Sequence, residues 1–73
     1  MQHQLNTQGL VCPMPLLKLK LLLKQCQTGD QIVQSITDTR SVKDIPAWLE
    51  MKGYSVEIRR LDSQITILDI KIS

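Results

Sequence analysis

Cys12-Pro13-Met14-Pro15 places a thiol in the stiffest stretch of this chain, directly before a leucine- and lysine-rich segment that reads as a helix. A cysteine at a helix start lies among unpaired N–H groups and at the positive end of the helix dipole. Both favour thiolate, the nucleophilic form, over thiol. Each proline fixes its own φ and restricts the residue before it, so the turn that holds the sulfur is rigid. With Pro13 as the first helical residue, Pro13 and Pro15 offer no N–H and Met14 N–H is the nearest donor. The stabilisation is then partial, which suits a nucleophile better than an extreme one does. A helix that begins only after Pro15 would leave Cys12 further from the dipole.

The residues around Cys12 narrow the chemistry by what they omit. There is no C-x-x-C pair for dithiol oxidoreduction and no His and carboxylate pairing for a protease-like triad. Cys26 lies fourteen residues away, at the other end of the expected helix. A rise of about 1.5 Å per residue puts roughly 21 Å between the two cysteines, whereas a disulfide needs Cα atoms within about 7 Å. Cys26 therefore reads as a small core residue. Two distant cysteines and His3, expected in a frayed terminus, lack the ligand spacing of a zinc site, so no metal is expected. A lone thiolate that works with a partner protein fits one chemistry, accepting a sulfur atom as a persulfide and handing it to another thiol. A purely structural Cys-Pro corner stays open at this point, because proline is common at a helix start and cysteine packs well near a cap. So does a thiol-redox sensor, although no resolving cysteine is near.

The elements that must position Cys12 follow from the hydrophobic pattern. A short strand over about residues 4–7 ends at Gly9, and the first helix runs from Pro13 or Pro15 to Gln27, stopped by Thr28-Gly29-Asp30. A second strand covers about 31–37. Ser41 with Asp44 three residues on resembles a capping box for a second helix that runs to Lys52 and ends at Gly53, with Pro46 kinking it or marking Asp44 as the cap. Tyr54, Val56 and Ile58 alternate with polar residues as a half-buried strand, and Leu61 to Gln64 turn the chain back. In the last strand, 65–72, Ile65 and Ile67 face one way while Leu68, Ile70 and Ile72 face the other, which calls for a bulge near Leu68 or a second packed surface. The order β-α-β-α-β-β predicts an α/β two-layer sandwich, with two helices on one face of a four-stranded mixed sheet.

At about 100° per residue, Leu16, Leu19, Leu22, Leu23 and Cys26 form one broad stripe, the expected core face of the first helix. Met14, Leu17 and Leu21 form a second line that starts beside Cys12 and is flanked by Lys18, Lys20 and Lys24. Scattered exposed leucines are ordinary; the functional alternative is a docking ridge leading to the thiol, with lysines drawing in an acidic partner.

Composition bounds the rest. Seventy-three residues with 42% hydrophobic content describe one small domain over residues 1–73, near the size at which a single core just suffices. A net charge of +2 with two aromatic residues gives no support for nucleic-acid binding. The first ten residues are polar, and Lys18 and Lys20 break the apolar run from Leu16 to Leu23, so neither a secretion signal nor a membrane span is expected and the chain reads as cytoplasmic.

Over nearly its whole length the chain resembles the TusA/SirA-like sulfur-carrier family. The resemblance rests on Leu5-Asn6-x-x-Gly9-Leu10-x-Cys12-Pro13-x-Pro15, then Gly29-Asp30, Asp38, Asp44-Ile45-Pro46-x-Trp48 and Gly53. It implies the same two-layer sandwich, a persulfide carried on Cys12 with no bound cofactor, a cysteine desulfurase or rhodanese-type sulfur donor, and a downstream acceptor protein. In one branch the sulfur ends in 2-thiouridine of tRNA, and others resemble carriers for sulfur oxidation, molybdenum-cofactor assembly or thiosulfate use. By position, Lys20, Lys24 and Asp38 match residues the family uses against partners. Asn6, Met14, Thr39 and Tyr54 depart from the family pattern, where Asp, an acidic residue, Pro and His are usual. These departures bear on which donor or acceptor docks. An interaction module in which Cys-Pro-Met-Pro is only structural is the competing reading.

Overall fold

The computed structural model describes residues 1–72. Its elements are β1 (Gln2–Thr7), α1 (Met14–Leu23), β2 (Gln31–Ile36), α2 (Thr39–Met51), β3 (Ser55–Arg60) and β4 (Thr66–Lys71). The four strands form one sheet in the order β1-β2-β4-β3, with β1 parallel to β2 and the other neighbours antiparallel. Both helices cover one face of it, as the β-α-β-α-β-β pattern predicts.

The helix-covered face is set by alternation along each strand. Ile32, Ile36, Leu68 and Ile70 point into the core and are fully buried, where they meet Leu19 of α1 and Ile45 and Leu49 of α2. Leu16, Leu22, Leu23 and Cys26 pack around this centre, so the core stripe read from the first helix is the one the fold uses. The opposite sheet face carries no helix among the described residues. Arg59 Nε donates to Asp69 Oδ2 at 2.7 Å there, and Val33 and Ile67 make a half-buried apolar spot in otherwise polar surroundings.

β1 starts at Gln2 rather than at about residue 4, and three further features differ from expectation. First, α1 ends at Leu23 rather than Gln27, because the chain tightens into i→i−3 bonds, Gln25 N–H to Leu22 O and Cys26 N–H to Leu23 O. Second, α2 is capped by Asp38 and not by Ser41 or Asp44. Asp38 takes an extended backbone conformation and its carboxylate accepts from Ser41 N–H, satisfying a first-turn donor. The helix then continues through the buried Pro46 to Met51. It ends in a Schellman arrangement at Gly53 (φ +89), with Gly53 N–H to Glu50 O and Tyr54 N–H to Leu49 O. Third, β4 pairs without a bulge along its length on both sides. Ile65 belongs to the hairpin turn and Ile67 to the open face, which accounts for the extra apolar positions. On the edge strand β3, Val56 is half-buried but Ile58 is exposed.

Candidate functional site

Parallel pairing of β1 and β2 brings their carboxyl ends, and the amino ends of both helices, to one edge of the sheet, where α/β folds commonly place their sites. Cys12 stands at this edge, one residue before the α1 N-cap Pro13. The loop to it is built from local bonds. Asn6 Oδ1 accepts from Gln8 N–H, Gly9 at φ +83 makes the turn and donates its N–H to Thr37 Oγ1 at 2.9 Å, and Leu10 N–H reaches Thr7 O.

Two groups then fix the Cys-Pro-Met-Pro turn from outside it. Asp38 Oδ2 accepts Cys12 N–H at 3.3 Å while capping α2 through Ser41 N–H at 2.9 Å and Ser41 Oγ at 2.8 Å. The Ser41 hydroxyl, then the Ser41 and Cys12 N–H groups, hold the Asp38 carboxyl below the usual carboxylate range. One carboxylate thus joins the α2 start to the backbone of Cys12. From beneath, the fully buried Gln34 donates through Nε2 to Pro15 O at 3.1 Å and to Thr7 Oγ1 at 3.3 Å, and Thr7 Oγ1 donates to Ser35 O. The Pro15 carbonyl can only accept, so it fixes which way the Gln34 amide points. Gln34 Oε1 has no partner among the described residues.

The Met14 N–H, expected to be the nearest donor to the sulfur, instead closes a turn onto Val11 O at 2.9 Å. The first helical bond runs from Leu17 N–H to Pro13 O, and the Cys12–Pro13 peptide is cis. Pro15 is buried as the second helical residue and Pro13 is exposed.

Around this turn lies an apolar surface. Met14, Leu17 and Leu21 are 40%, 44% and 60% exposed on the side of α1 away from the core, and Val11 is exposed beside Cys12. Lys24, the C-cap of α1, is exposed, whereas Lys20 leans toward α2, its Nζ 5.1 Å from the Trp48 ring centre, a cation–π contact. Lys20, Lys24, Lys52, Trp48 and Tyr54 line a shallow depression between the helices.

The sequence singles out Cys12 and its ridge and offers Ser41 as a helix cap, but it does not single out Gln34 as a support of the thiol turn. A signal for Gln34 exists, since it interrupts the inward positions Ile32 and Ile36 of β2 with a polar side chain, and a buried amide must find partners. His3 also departs from expectation. It lies within β1 and not in a frayed end, and its Nε2 is 3.1 Å from Asp30 Oδ2, close to Cys26.

Comparison with known proteins agrees with this architecture. The profile of the family described as "Sulfurtransferase TusA" matches residues 3–71. The chain is 34% identical over 56 residues to "Putative sulfur carrier protein" of Archaeoglobus fulgidus, covering 75% of this chain and 77% of that one. It is 36% identical over 50 residues to "Putative sulfur carrier protein YrkF" of Bacillus subtilis, covering 68% of this chain but only 27% of YrkF. The crystal structure of a SirA-like protein from Desulfitobacterium hafniense superposes with a TM-score of 0.84 over 93% of each chain at 22% identity, which shows the shared fold. No helix among the described residues is long and apolar enough to cross a membrane.

Proposed function

This chain belongs to the TusA sulfurtransferase family, and from that premise we propose that it carries sulfur as a persulfide on Cys12 Sγ, passing it between two partner proteins in the cytoplasm. The observation that supports this most is a thiol on a backbone fixed by Asp38 and Gln34, set at the head of an exposed apolar ridge. A fixed backbone presents the sulfur in one orientation, and the ridge supplies the contact area that a protein donor requires.

The transfer needs no net oxidant. Cys12 thiolate attacks the terminal sulfur of a donor persulfide, the new S–S bond forms on Cys12, and the donor cysteine leaves as thiolate. Attack by an acceptor thiolate on the terminal sulfur of Cys12 reverses the sequence. Each step is a thiol–disulfide type exchange, with rate set by the attacking and leaving sulfurs. A cysteine desulfurase or a rhodanese-type protein is the donor class, and the acceptor is a second protein thiol. Met14, Leu17, Leu21 and Lys24 form the contact surface, with Lys20 reached only by a partner that also approaches Trp48. Asp38 positions Cys12 through Oδ2, which accepts from three donors, and its Oδ1 is the oxygen that would meet a partner.

Incubation with a cysteine desulfurase and cysteine should raise the intact mass by one sulfur atom, about 32 Da, in a form that reductant removes. Cys12→Ser should take up none. Loading of Cys12→Ser equal to wild type would end this proposal.

A further inference from the structure

At the other end of α1, three side chains that sulfur transfer does not use converge from three separate segments. His3 comes from β1, Cys26 from the turn after α1, and Asp30 from the residue before β2. One ligand atom from each lies within 4.8 Å of the other two, and all three residues are half-buried. His3 Nε2 and Asp30 Oδ2 are 3.1 Å apart. Asp30 Oδ2 also accepts Gln27 N–H at 3.0 Å, which orients the carboxylate, and Oδ1 accepts from the Met1 amino group at 3.1 Å.

We propose that His3, Cys26 and Asp30 form a binding site for a divalent cation of the zinc class. The donor set decides the class. Thiolate and imidazole together select zinc and its borderline neighbours, whereas magnesium and calcium require oxygen ligands throughout. Zinc bonds of about 2.0–2.3 Å in a tetrahedron place donor atoms roughly 3.3–3.8 Å apart. The His3 to Asp30 separation is already close to that, and the spans to Cys26, within 4.8 Å, are short enough for side-chain rotation to close. The thiol proton of Cys26 leaves to solvent as the metal–sulfur bond forms. Three protein ligands leave the fourth position for water or an incoming group, and the ion ties the first strand, the end of α1 and the start of β2 together. The ligands are side chains, so the site does not depend on the Met1 amino group. The bland alternative is a polar network in which His3 and Gln27 merely anchor Asp30.

Cobalt(II) titration of the reduced whole chain distinguishes the two. One equivalent of cobalt should produce the near-ultraviolet thiolate-to-cobalt band and the visible bands of a tetrahedral site, and zinc should displace it. Cys26→Ser should lose the thiolate band, and His3→Gln, a milder change on the strand, should weaken zinc binding by more than about tenfold. Cys12→Ser should bind as wild type. Absence of one-to-one uptake by wild type, a thiolate band that persists in Cys26→Ser, or its loss in Cys12→Ser overturns the site. Sulfur loading of Cys26→Ser, measured in the same preparation, keeps this result separate from the role of Cys12.

Discussion

The two ends of α1 each carry one cysteine, and they treat it differently. Before the helix, hydrogen bonds hold the backbone around the sulfur, with Asp38 on Cys12 N–H and Gln34 on Pro15 O, while the flanking Val11, Pro13 and Met14 are exposed. After the helix, Cys26 packs against the core, with a histidine and a carboxylate gathered at its side. Burial, and then the negative charge of Asp30, push the Cys26 thiol up from its ordinary value. A sulfur on a rigid corner with exposed neighbours suits the exchange proposed for Cys12. A half-buried sulfur beside nitrogen and oxygen donors suits the cation site proposed for Cys26, or the core.

The sharpest way to break this contrast is to exchange its two members. Cys12→Ser should abolish sulfur uptake, whereas Cys26→Ser should load to the wild-type extent, as read by labelled sulfur and the mass of the cysteine-bearing peptides. Uptake on Cys26 in the Cys12→Ser chain would show that the ends are chemically equivalent. A second test removes what both ends share. Leu19 is fully buried in the middle of α1, so Leu19→Ala should cost about 2–5 kcal/mol in denaturant unfolding. Both cysteines should then gain reactivity toward a thiol reagent. A change confined to one end would mean that α1 is not a common support.

The difference between the two ends also separates what was legible in the sequence from what was not. Cys-Pro-Met-Pro is a local signal, complete within four residues, and the α1 stripes depend only on helical period. The supports of Cys12 are long-range, since Asp38 acts across 26 residues and Gln34 across 19. At the far end, His3 and Asp30 meet across 27 residues through parallel pairing, which spacing rules for metal ligands do not register. The α2 start is ambiguous in the sequence because Ser41 with Asp44 and Asp38 with Ser41 both have the i, i+3 form of a cap; in the fold the Asp38 carboxylate takes both the hydroxyl and the N–H of Ser41. The two apolar faces read along β4 are the ones the fold shows, with Leu68 and Ile70 in the core and Ile67 on the face without helices among the described residues; local alternation alone does not reveal that no bulge is needed.

A smaller effect should sharpen the contrast at the Cys12 end alone. Gln34→Met keeps the volume but leaves the carbonyl of Pro15 without its donor, an unmade buried hydrogen bond worth about 1–3 kcal/mol. Loss of the unpaired Gln34 Oε1 offsets part of that cost. Amide exchange should accelerate at Cys12, Met14, Leu16 and Leu17 and stay unchanged at Cys26 and Gln27. Equal acceleration at both ends would make Gln34 a general core residue and not a support of the thiol turn.

The smallest effect expected is a pH dependence of the same turn. Asp38 has a carboxyl depressed in the folded chain, chiefly by the Ser41 hydroxyl and N–H and then by Cys12 N–H. A depressed folded value means that the native state prefers the ionised form, so the stability it contributes is complete above the unfolded value of about 3.9. That contribution is lost as pH falls through the lower folded value, because the protonated acid accepts hydrogen bonds poorly. Of the groups beside Asp38, Ser41 is uncharged and Arg40 adds a smaller lowering through its positive charge. In an NMR titration the Ser41 and Cys12 amide signals should therefore move together below the usual carboxylate range, and in Asp38→Asn neither should move there. Should Ser41 respond and Cys12 not, the carboxylate caps α2 without holding the thiol turn, and the rigid corner must rest on Gln34 and the prolines alone.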